Sequence, residues 1–501
     1  MSLRRNVLAN FLGQAWGAAM GLAFLPVYIH YLGIESYGLV GVFAVLQTWL
    51  TLLDAGMSPT LGREMARFTA GAHSAQSIRN LLRSLEVVCV LVAFAICAVV
   101  WTGSGWLAQE WLRVDRLPLG VVRDAIALMA FVVALRFVEG LYRSAVFGLQ
   151  RQVWYNVVNG VLATLRNVGA VLVLAFVSPT IGAFFLWQAL VSALSVLVIA
   201  SGVYTALPRA PAPAAFSVAA LSDVWRFARG MTVITLLSLL LTQVDKVLLS
   251  RLLTLEAFGY YALAATVAGA LYLLIAPITT ALYPHLVSLV ARGDKAGVTE
   301  AYHRAAQAVT ILTLPAALLI AFYGEGAVFA WSGDVKLAQT AGPILAVLVL
   351  GNVLNGLMHV PYQLQLAHGW TDFAIKVNVV AVALLIPAIL WIVPLYGALG
   401  AAWVWITLNA GYVLVGMPLM HRRLLPEELW RWYVRDTGLP ALGAGAGLAL
   451  LSAFKPTDLT SRPAWLLFLG GAFLMALLGA AAAIPDLRVR AMASMHRWLA
   501  P

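Results

Sequence analysis

Long apolar runs recur along the whole chain and are separated by short polar segments. A helix needs roughly 20 mostly apolar residues to cross the hydrocarbon core of a bilayer. Fourteen runs approach that length, so the pattern predicts an all-α polytopic membrane protein with about 14 transmembrane helices. The predicted spans are 7–30, 38–58, 85–103, 121–146, 154–178, 181–205, 229–250, 257–283, 305–324, 341–366, 373–394, 397–420, 438–454 and 464–484.

The composition agrees with lipid as the solvent of this chain. Of its 501 residues, 62% are apolar and only 11% are charged, whereas soluble proteins carry about 25% charged residues. No polar stretch is long enough to fold as a separate soluble domain. The first run, from Val7 to Tyr31, is too long for the apolar part of a signal peptide and lacks a small-residue cleavage site. It is therefore predicted to be retained as span one.

The net charge of +11 is distributed over the ends of the spans and is not gathered in one domain. With Arg4 and Arg5 inside, 22 of the 32 Lys and Arg residues fall on the cytoplasmic side, against seven on the other. Such asymmetry sets membrane orientation, so both termini are predicted to be cytoplasmic, and nucleic acid is not a predicted partner. Cys89 and Cys97 lie in one apolar run and indicate neither a disulfide nor a metal site.

The two halves of the chain resemble each other. The segment 32–38 (LGIESYG) matches 253–259 (LTLEAFG) at a shift of 221 residues, and each precedes a span and a basic loop. Six spans per unit is an even number, so the two repeats are parallel, and transporters built this way bind substrate between their repeats. The predicted domains are an N-lobe (1–206, spans one to six), a cytoplasmic Pro-rich linker (207–228), a C-lobe (229–420, spans seven to twelve) and spans thirteen and fourteen with a cytoplasmic tail (421–501).

Span four carries three ionisable residues on one helical face. Arg136, Glu139 and Arg143 follow one another at i, i+3 and i+7, a spacing that aligns side chains along a helix. Ionisable groups at membrane depth usually face a cavity or one another. They either line a substrate cavity or, in the case of Arg136 and Glu139, pair and hold the helix in place. Arg143 alone also fits a side chain that reaches to the cytoplasmic interface.

Polar residues in two further spans extend this stripe. Span five places Asn159 and Arg166 seven residues apart. A shift of 216 residues carries the stripe of span four onto Asn352, Asn355 and His359 in span ten. The predicted cavity is therefore cationic in the first half and nearly neutral in the second. A cationic surface suits an anionic substrate, and arginine suits phosphate because its fork is planar and always charged.

Asp245 and Lys246, in span seven, are the other ionisable residues of note. They are adjacent and cannot share a helical face. One interpretation is a site for a coupling ion, H⁺ or Na⁺, since carboxylates within the membrane act as relays. The alternative is a structural pair with Thr242 or a neighbouring helix. No cofactor or metal is predicted.

Several features typical of enzymes are missing from the sequence. There is no Gly-x-x-x-x-Gly-Lys-Ser/Thr loop, so an ATPase is not indicated. No outer loop is much longer than the stretch from Ser104 to Gly120, and enzymes acting on lipid-linked sugars usually need more. The remaining histidines lie near span ends and need no special role. A carrier is predicted.

Short motifs along almost the whole chain resemble one family. They are Asn10-x-x-Gly13, Tyr31-Leu32-Gly33-x-x-x-Tyr37-Gly38, Leu53-Asp54-Ala55-Gly56, Arg63-Glu64-x-Ala66, Gln243-x-Asp245-Lys246 and Leu255-Glu256-x-x-Gly259-x-Tyr261. In their order and with this number of spans they resemble the polysaccharide transport, or oligosaccharide flippase, family of the multidrug/oligosaccharidyl-lipid/polysaccharide exporter superfamily.

The resemblance implies a function. Such proteins move an undecaprenyl-pyrophosphate-linked oligosaccharide from the cytoplasmic to the periplasmic leaflet of a bacterial inner membrane by alternating access. The pyrophosphate would meet Arg136 and Arg166, and the glycan would fill the cavity between the lobes. In the related lipid II flippase the last two spans form a groove for the lipid tail. The small residues Ala441–Gly447 would permit the same here, while the alternative is peripheral packing.

The resemblance also implies partners and alternatives. Lipid-linked oligosaccharide and membrane lipids are the expected ligands, and a polysaccharide polymerase and glycosyltransferases of the same pathway are further expected partners. A cation-coupled multidrug exporter or a lipid II-type flippase is an alternative in the same superfamily. The cationic stripe disfavours the drug exporter, whose sites bind cations through acidic residues. A scaffold of an envelope-assembly complex would recruit partners without transport.

Overall fold

The structure, a computed structural model, describes residues 3–54, 56–218, 236, 239–240 and 242–484, with side chains from residue 9 onward. The chain divides into two compact units, Met1–Gly259 and Tyr260–Pro501. This division falls later in the chain than the boundary predicted between the lobes, and the predicted domain limits remain predictions. Parts of the predicted linker and of span seven, and the tail from residue 485, lie outside the described residues.

The helices of the first unit follow the predicted spans one to six. In chain order they are α1 (Leu3–Ala23), α2 (Leu25–Leu32), α3 (Ile34–Leu50), α4 (Met57–Thr69), α5 (Ala75–Trp106), α6 (Leu119–Gly148), α7 (Gln152–Phe176) and α8 (Ile181–Ala206). Helix α9 (Leu255–Gly269) continues from this unit into the second.

The second unit contains the helices of spans eight to fourteen. They are α10 (Tyr272–Ala291), α11 (Lys295–Ser332), α12 (Val335–Leu357), α13 (His359–Ala367), α14 (Thr371–Gly411), α15 (Met417–Leu424), α16 (Leu439–Leu451) and α17 (Arg462–Ala482). Between α15 and α16 the chain forms the short helix Leu429–Arg431 and a widened π-helical turn, Trp432–Gly438.

The described residues confirm the all-α polytopic class. Eleven helices or continuous helical runs in this part of the chain are long and apolar enough to cross a bilayer. One run, Thr371–Leu424, contains predicted spans eleven and twelve, and the backbone leaves the helical conformation between them at Gly397, where φ is +60°. Helix α6, with 30 residues, coincides with predicted span four. Cys89 and Cys97 are free thiols.

The core of the first unit packs α4, α5, α6 and α8 together. Leu61, Leu82, Leu141 and Val203 come one from each helix, and all are fully buried. Lipid tails are as apolar as leucine, so the hydrophobic effect does not drive such helices together; close packing and polar contacts do. The unit is therefore held by shape complementarity and by a small number of buried polar bonds.

A buried polar cluster closes one end of the second unit. His303, on α11, is 1% exposed and Asp436, in the π-helical turn, is fully buried. His303 Nδ1 contacts Asp436, while His303 Nε2 lies 3.0 Å from Glu428 Oε2. Gln307 Nε2 donates to the second oxygen of Asp436 at 2.9 Å. The imidazole of His303 thus bridges two carboxylates, and the cluster ties the 425–438 segment to α11.

Helices α16 and α17 form a hairpin whose backbones touch. A Cβ added at Gly443 would lie 2.2 Å from the carbonyl oxygen of Gly479, and one added at Gly447 would lie 2.3 Å from that of Met475. Small residues permit this approach between membrane helices. The small-residue stretch 441–447 is thus used for contact between spans thirteen and fourteen themselves.

We expect Gly443→Ala to weaken this hairpin by about 1–3 kcal/mol, the usual cost of overpacking. Gly445→Ala is the matched control, because nothing lies within 4 Å of a Cβ at that position. Thermal unfolding of the detergent-purified protein measures the difference. Equal melting temperatures for the two variants would contradict the backbone contact.

Candidate functional site

Arg136 is held by neutral side chains from two other helices of the first unit. Its Nη1 donates to Gln47 Oε1 on α3 at 2.7 Å, and its Nη2 donates to Gln188 Oε1 on α8 at 3.1 Å. The guanidinium carbon lies 5.0 Å from the centre of the Phe43 ring. Its buried Nε has no hydrogen-bond partner among the described residues. These contacts fix the plane of the guanidinium without neutralising its charge.

Glu139 forms its ion pair with Arg166, on α7. Arg166 Nη2 lies 3.9 Å from Glu139 Oε2, and the two side chains are 20% and 14% exposed. The same Nη2 donates to Ser195 Oγ on α8 at 3.4 Å. No direct Arg136–Glu139 ion pair is formed among the described residues, and the lining of a substrate cavity by this stripe stays a prediction. Arg136, Arg166 and Glu139 therefore make a cluster of two cations and one anion.

This cluster has hydrogen-bonding capacity that the protein itself does not use. Glu139 Oε2, Arg166 Nε and Ser192 Oγ are buried and have no hydrogen-bond partner within the described part of the chain. Buried polar groups are nearly always hydrogen-bonded, and leaving one unsatisfied costs about 1–3 kcal/mol. Of these atoms, Arg166 Nε and Ser192 Oγ can donate to a polar, anionic ligand held beside the two arginines, whereas Glu139 Oε2 can only accept.

The corresponding positions of the second unit form a closed neutral network. Trp405 Nε1 donates to Asn352 Oδ1 at 2.8 Å, and Tyr272 Oη donates to Asn355 Oδ1 at 3.0 Å. Asn355 Nδ2 in turn donates to Asn409 Oδ1 at 2.8 Å, and Asn409 is fully buried. These bonds satisfy the network from within and leave it without charge.

The two networks use equivalent positions of the repeat. A shift of 217 residues carries Gln188 onto Trp405 and Ser192 onto Asn409. The bond from Arg136 to Gln188 thus corresponds to the contact of Asn352 with Trp405. Glu139 and Ser192 stand where the second unit has its bonded Asn355–Asn409 pair. The atoms of the first unit that lack a hydrogen-bond partner among the described residues therefore lie at positions whose equivalents in the second unit are hydrogen-bonded to each other.

The remaining predicted cavity residues are less tightly held. His359 is half-buried and its ring lies 5.6 Å from the ring of Tyr272, centre to centre. Asn159 is half-buried on α7, and Arg143 is exposed at the far end of the α6 stripe. The structure thus groups Arg136 with Glu139 and Arg166 in one unit.

In the second unit, the predicted positions Asn352, Asn355 and His359 meet around Tyr272.

Asp245 and Lys246 lie together in the described end of predicted span seven. Lys246 Nζ donates to the carbonyl oxygen of Thr242 at 3.0 Å and lies 3.9 Å from Asp245 Oδ1. The side chains are 29% and 14% exposed for the lysine and the aspartate. The bond to Thr242 is of the kind expected for a structural pair, and the ion-binding role stays a prediction.

The basic motif Arg63-Glu64-x-Ala66 has a structural explanation. Glu64 accepts bonds from Arg63 Nε at 2.9 Å and from Arg67 Nη1 at 3.1 Å, and it contacts His73 Nε2 at 2.7 Å. Burial alone would raise the pKa of Glu64, but the hydrogen bonds to His73 and Arg63 and the charge of Arg67 outweigh it and lower this pKa. The motif folds α4 against the following loop.

The partners of the cluster were not predicted from the sequence. Gln47 and Gln188 are uncharged and belong to none of the motifs found in the sequence. The same is true of Tyr272 and Asn409, which bond the equivalent positions of the second unit. A usable signal exists, since glutamine within a membrane span tends to hydrogen-bond across to a neighbouring helix. No group of three possible metal ligands occurs among the described residues.

The fold is that of the multidrug/oligosaccharidyl-lipid/polysaccharide exporter superfamily. It superimposes on the lipid II flippase MurJ in an inward closed conformation with a TM-score of 0.72, covering 96% of this chain and 99% of that one at 13% identity. A multidrug transporter of the MATE family in its inward-facing conformation gives 0.66, over 81% of this chain and 94% of that one, also at 13% identity. At such identities the likeness establishes the fold alone.

Sequence comparison identifies the family. Residues 3–290, more than half of the chain, match the family described as polysaccharide biosynthesis protein, and the chain belongs to it. A protein of Shigella flexneri named as a putative O-antigen transporter is 20% identical over 406 residues, which cover 81% of this chain and 94% of that protein. The predicted resemblance is confirmed, and the family is one of membrane transporters and not of enzymes.

Proposed function

We propose that the protein transfers an undecaprenyl-pyrophosphate-linked oligosaccharide, a repeat unit of O-antigen, exopolysaccharide or capsule, from the cytoplasmic to the periplasmic leaflet by alternating access. The observation that carries the proposal is the cluster of Arg136, Arg166 and Glu139, with its unused buried donors. A pyrophosphate matches it in charge and geometry, because arginine donates two parallel bonds to phosphate oxygens. The Shigella relative supports a sugar-lipid substrate.

The charge of the cluster favours this function over drug export. A site for cationic drugs needs net negative charge, whereas this cluster carries two guanidinium groups for one carboxylate. A phosphate ligand would satisfy the arginine donors directly. A lipid II-type substrate shares the pyrophosphate, so only the glycan can distinguish it. Within this proposal, glycosyltransferases supply the substrate and a polymerase consumes it.

The proposal is tested by reconstitution into liposomes with three fluorescent probes. These are an undecaprenyl-pyrophosphate-linked oligosaccharide, lipid II and an organic cation. The first probe is expected to be transferred between leaflets, at a rate that Arg136→Gln reduces. Transport of the cation alone, driven by an H⁺ or Na⁺ gradient, would replace the proposal with drug export. Transfer of lipid II alone would show that the substrate is lipid II and not an undecaprenyl-pyrophosphate-linked oligosaccharide.

We further propose Asp245 and Lys246 as the site of a coupling ion, H⁺ or Na⁺. Asp245 is mostly buried within a predicted span, where carboxylates act as proton or cation relays. Asp245→Asn is then expected to abolish gradient-driven transport while the protein still inserts. Normal transport by that variant would leave Asp245 with a structural role only.

The proposed orientation places both termini in the cytoplasm of a bacterial cell, in the inner membrane. In a cysteine-free background, Arg63→Cys and Arg292→Cys are expected to react with an impermeant maleimide only from the cytoplasm. Gly105→Cys and Gly333→Cys are expected to react only from the periplasm. The reason is the asymmetry of Lys and Arg between the two sides.

The cysteine-free background replaces the two native cysteines, Cys89 and Cys97, by serine. Arg431→Cys provides an independent cytoplasmic reporter from the second unit. Reaction of Arg63→Cys and Arg292→Cys from opposite sides would contradict the parallel arrangement of the repeats.

A further inference from the structure

An apolar groove of about 1100 Å³ runs along the first unit between α1 and α7. On α7 the lining residues recur every three or four positions, and they include Val153, Val157, Val161 and Leu172. Val157 and Val161 line this wall and are 64% and 63% exposed. The indole of Trp187, on α8, completes the groove.

The polar side chains that line the groove are hydrogen-bonded within the protein. Trp16 Nε1 donates to Thr164 Oγ1 at 3.0 Å, and Trp187 Nε1 donates to the carbonyl oxygen of Leu165 at 3.2 Å. Asn156 Nδ2 donates to an oxygen of the α1 residue Asn10 at 2.6 Å. The polar atoms are thus bonded within the walls, and the surface left to a ligand is hydrocarbon.

The length of the groove indicates which hydrocarbon fits it. From Val153 to Phe176 the groove follows α7 for roughly 35 Å at 1.5 Å per residue. The hydrocarbon core of a bilayer is about 30 Å thick, so one acyl chain of an ordinary lipid reaches across only about half of it. A single chain that fills the whole groove must be longer than one leaflet is deep, whereas ordinary lipids would have to enter it from both leaflets.

Helix α7 also carries Arg166, next in sequence to the groove residue Leu165. The Arg166 side chain points the other way, to Glu139 and Ser195. The two faces of a helix are separated by about 10–12 Å. A long apolar chain can cross this distance and still extend along the groove, whereas a short chain is used up in crossing it. A molecule with an anionic head and a very long apolar chain is the one that uses both faces.

We propose that this groove binds the polyprenyl chain of the lipid-linked substrate while its pyrophosphate is held at Arg136 and Arg166. The inference rests on the proposed function. It places the lipid chain on the first unit, whereas the resemblance to the lipid II flippase implied spans thirteen and fourteen. Affinity gained in the groove increases with every buried CH₂ group, so the site selects for chain length.

The test compares two probes with the same pyrophosphate and glycan and with prenyl chains of 55 and 10 carbons. Val157→Trp and Val161→Trp fill the groove. Val90→Trp is the matched control, because Val90 is an exposed valine on α5 outside the groove. At substrate concentrations below saturation, the groove variants are expected to transfer the long probe about tenfold more slowly, equivalent to 1.4 kcal/mol. The short probe and the control variant are expected to be unaffected.

Photolabelling provides the second measurement, independent of transport. An undecaprenyl phosphate with a terminal diazirine is expected to label α7 peptides of the wild type and to lose that labelling in Val161→Trp. Labelling by a diazirine phosphatidylethanolamine that undecaprenyl phosphate does not displace would identify an ordinary lipid groove and overturn the proposal. Equal slowing of both transport probes would also overturn it. A wild type that transfers neither probe but is still labelled would contradict the proposed function while leaving the groove assignment standing.

Discussion

Arg136→Gln is expected to reach the membrane in normal amount and to bind the lipid-linked substrate about ten- to a hundredfold more weakly. A hydrogen bond between a charged pair is worth about 1.5–3 kcal/mol, and the variant loses one such group at the proposed pyrophosphate site. The Glu139–Arg166 pair does not involve Arg136, so insertion should be preserved. Arg136→Lys should recover part of the affinity, because lysine keeps the charge and loses the planar fork.

Membrane abundance measured beside transfer between leaflets distinguishes binding from a structural role. Arg123→Gln is the control on the same helix, since Arg123 is exposed and pairs with its neighbour Asp124. Loss of abundance in Arg136→Gln, with recovery of both quantities on adding Glu139→Gln, would give Arg136 a structural role only. Arg166→Gln is expected to show that behaviour instead, because it leaves Glu139 with no cation within 4 Å in the described part of the chain.

His303→Gln is expected to destabilise the second unit by about 1–3 kcal/mol, the usual cost of leaving a buried polar group without its partner. The substitution leaves the fully buried Asp436 with Gln307 as its remaining donor in the described part of the chain, and it removes the imidazole from Glu428. Asp436→Asn should have a similar effect because it replaces one of the two oxygens that accept these bonds. Thermal unfolding in detergent, followed by tryptophan fluorescence, measures both variants.

His368→Gln is the control for this prediction. The His368 side chain is exposed and bonds only the carbonyl oxygen of Leu364 in the described structure. Such substitutions usually change stability by less than about 0.5 kcal/mol. Melting of His303→Gln at the temperature of His368→Gln would show that the cluster contributes little.

Hydropathy was sufficient to predict the membrane class and the order of the spans, because lipid imposes one requirement on every helix. The same approach located the stripe of span four and its neutral counterpart in span ten. Helical spacing, however, states only which residues share a face. It does not state which helix faces them, so Gln47 and Gln188, which are 89 and 52 residues from Arg136, were not predicted as its partners.

The same ambiguity explains the choice left open for Glu139. Its spacing from Arg136 allows a pair within one helix, and its depth allows a pair with Arg166 on another. Packing of α6 against α7 and α8 decides between them, and packing is not encoded in the period of one helix. His303 was assigned no role for a similar reason, since its two carboxylates come from a segment more than a hundred residues later.

The cluster around His303 has a consequence for biosynthesis. His303 is translated 133 residues before Asp436. Helix α11 is therefore inserted long before the two carboxylates that contact His303 have been made. Until the segment that follows α15 has been translated, a nascent chain presents an unsatisfied imidazole at the end of an inserted helix. A chain terminated after the twelfth span would keep that defect permanently, and membrane quality-control proteases would have a fixed feature by which to distinguish it from the full-length product.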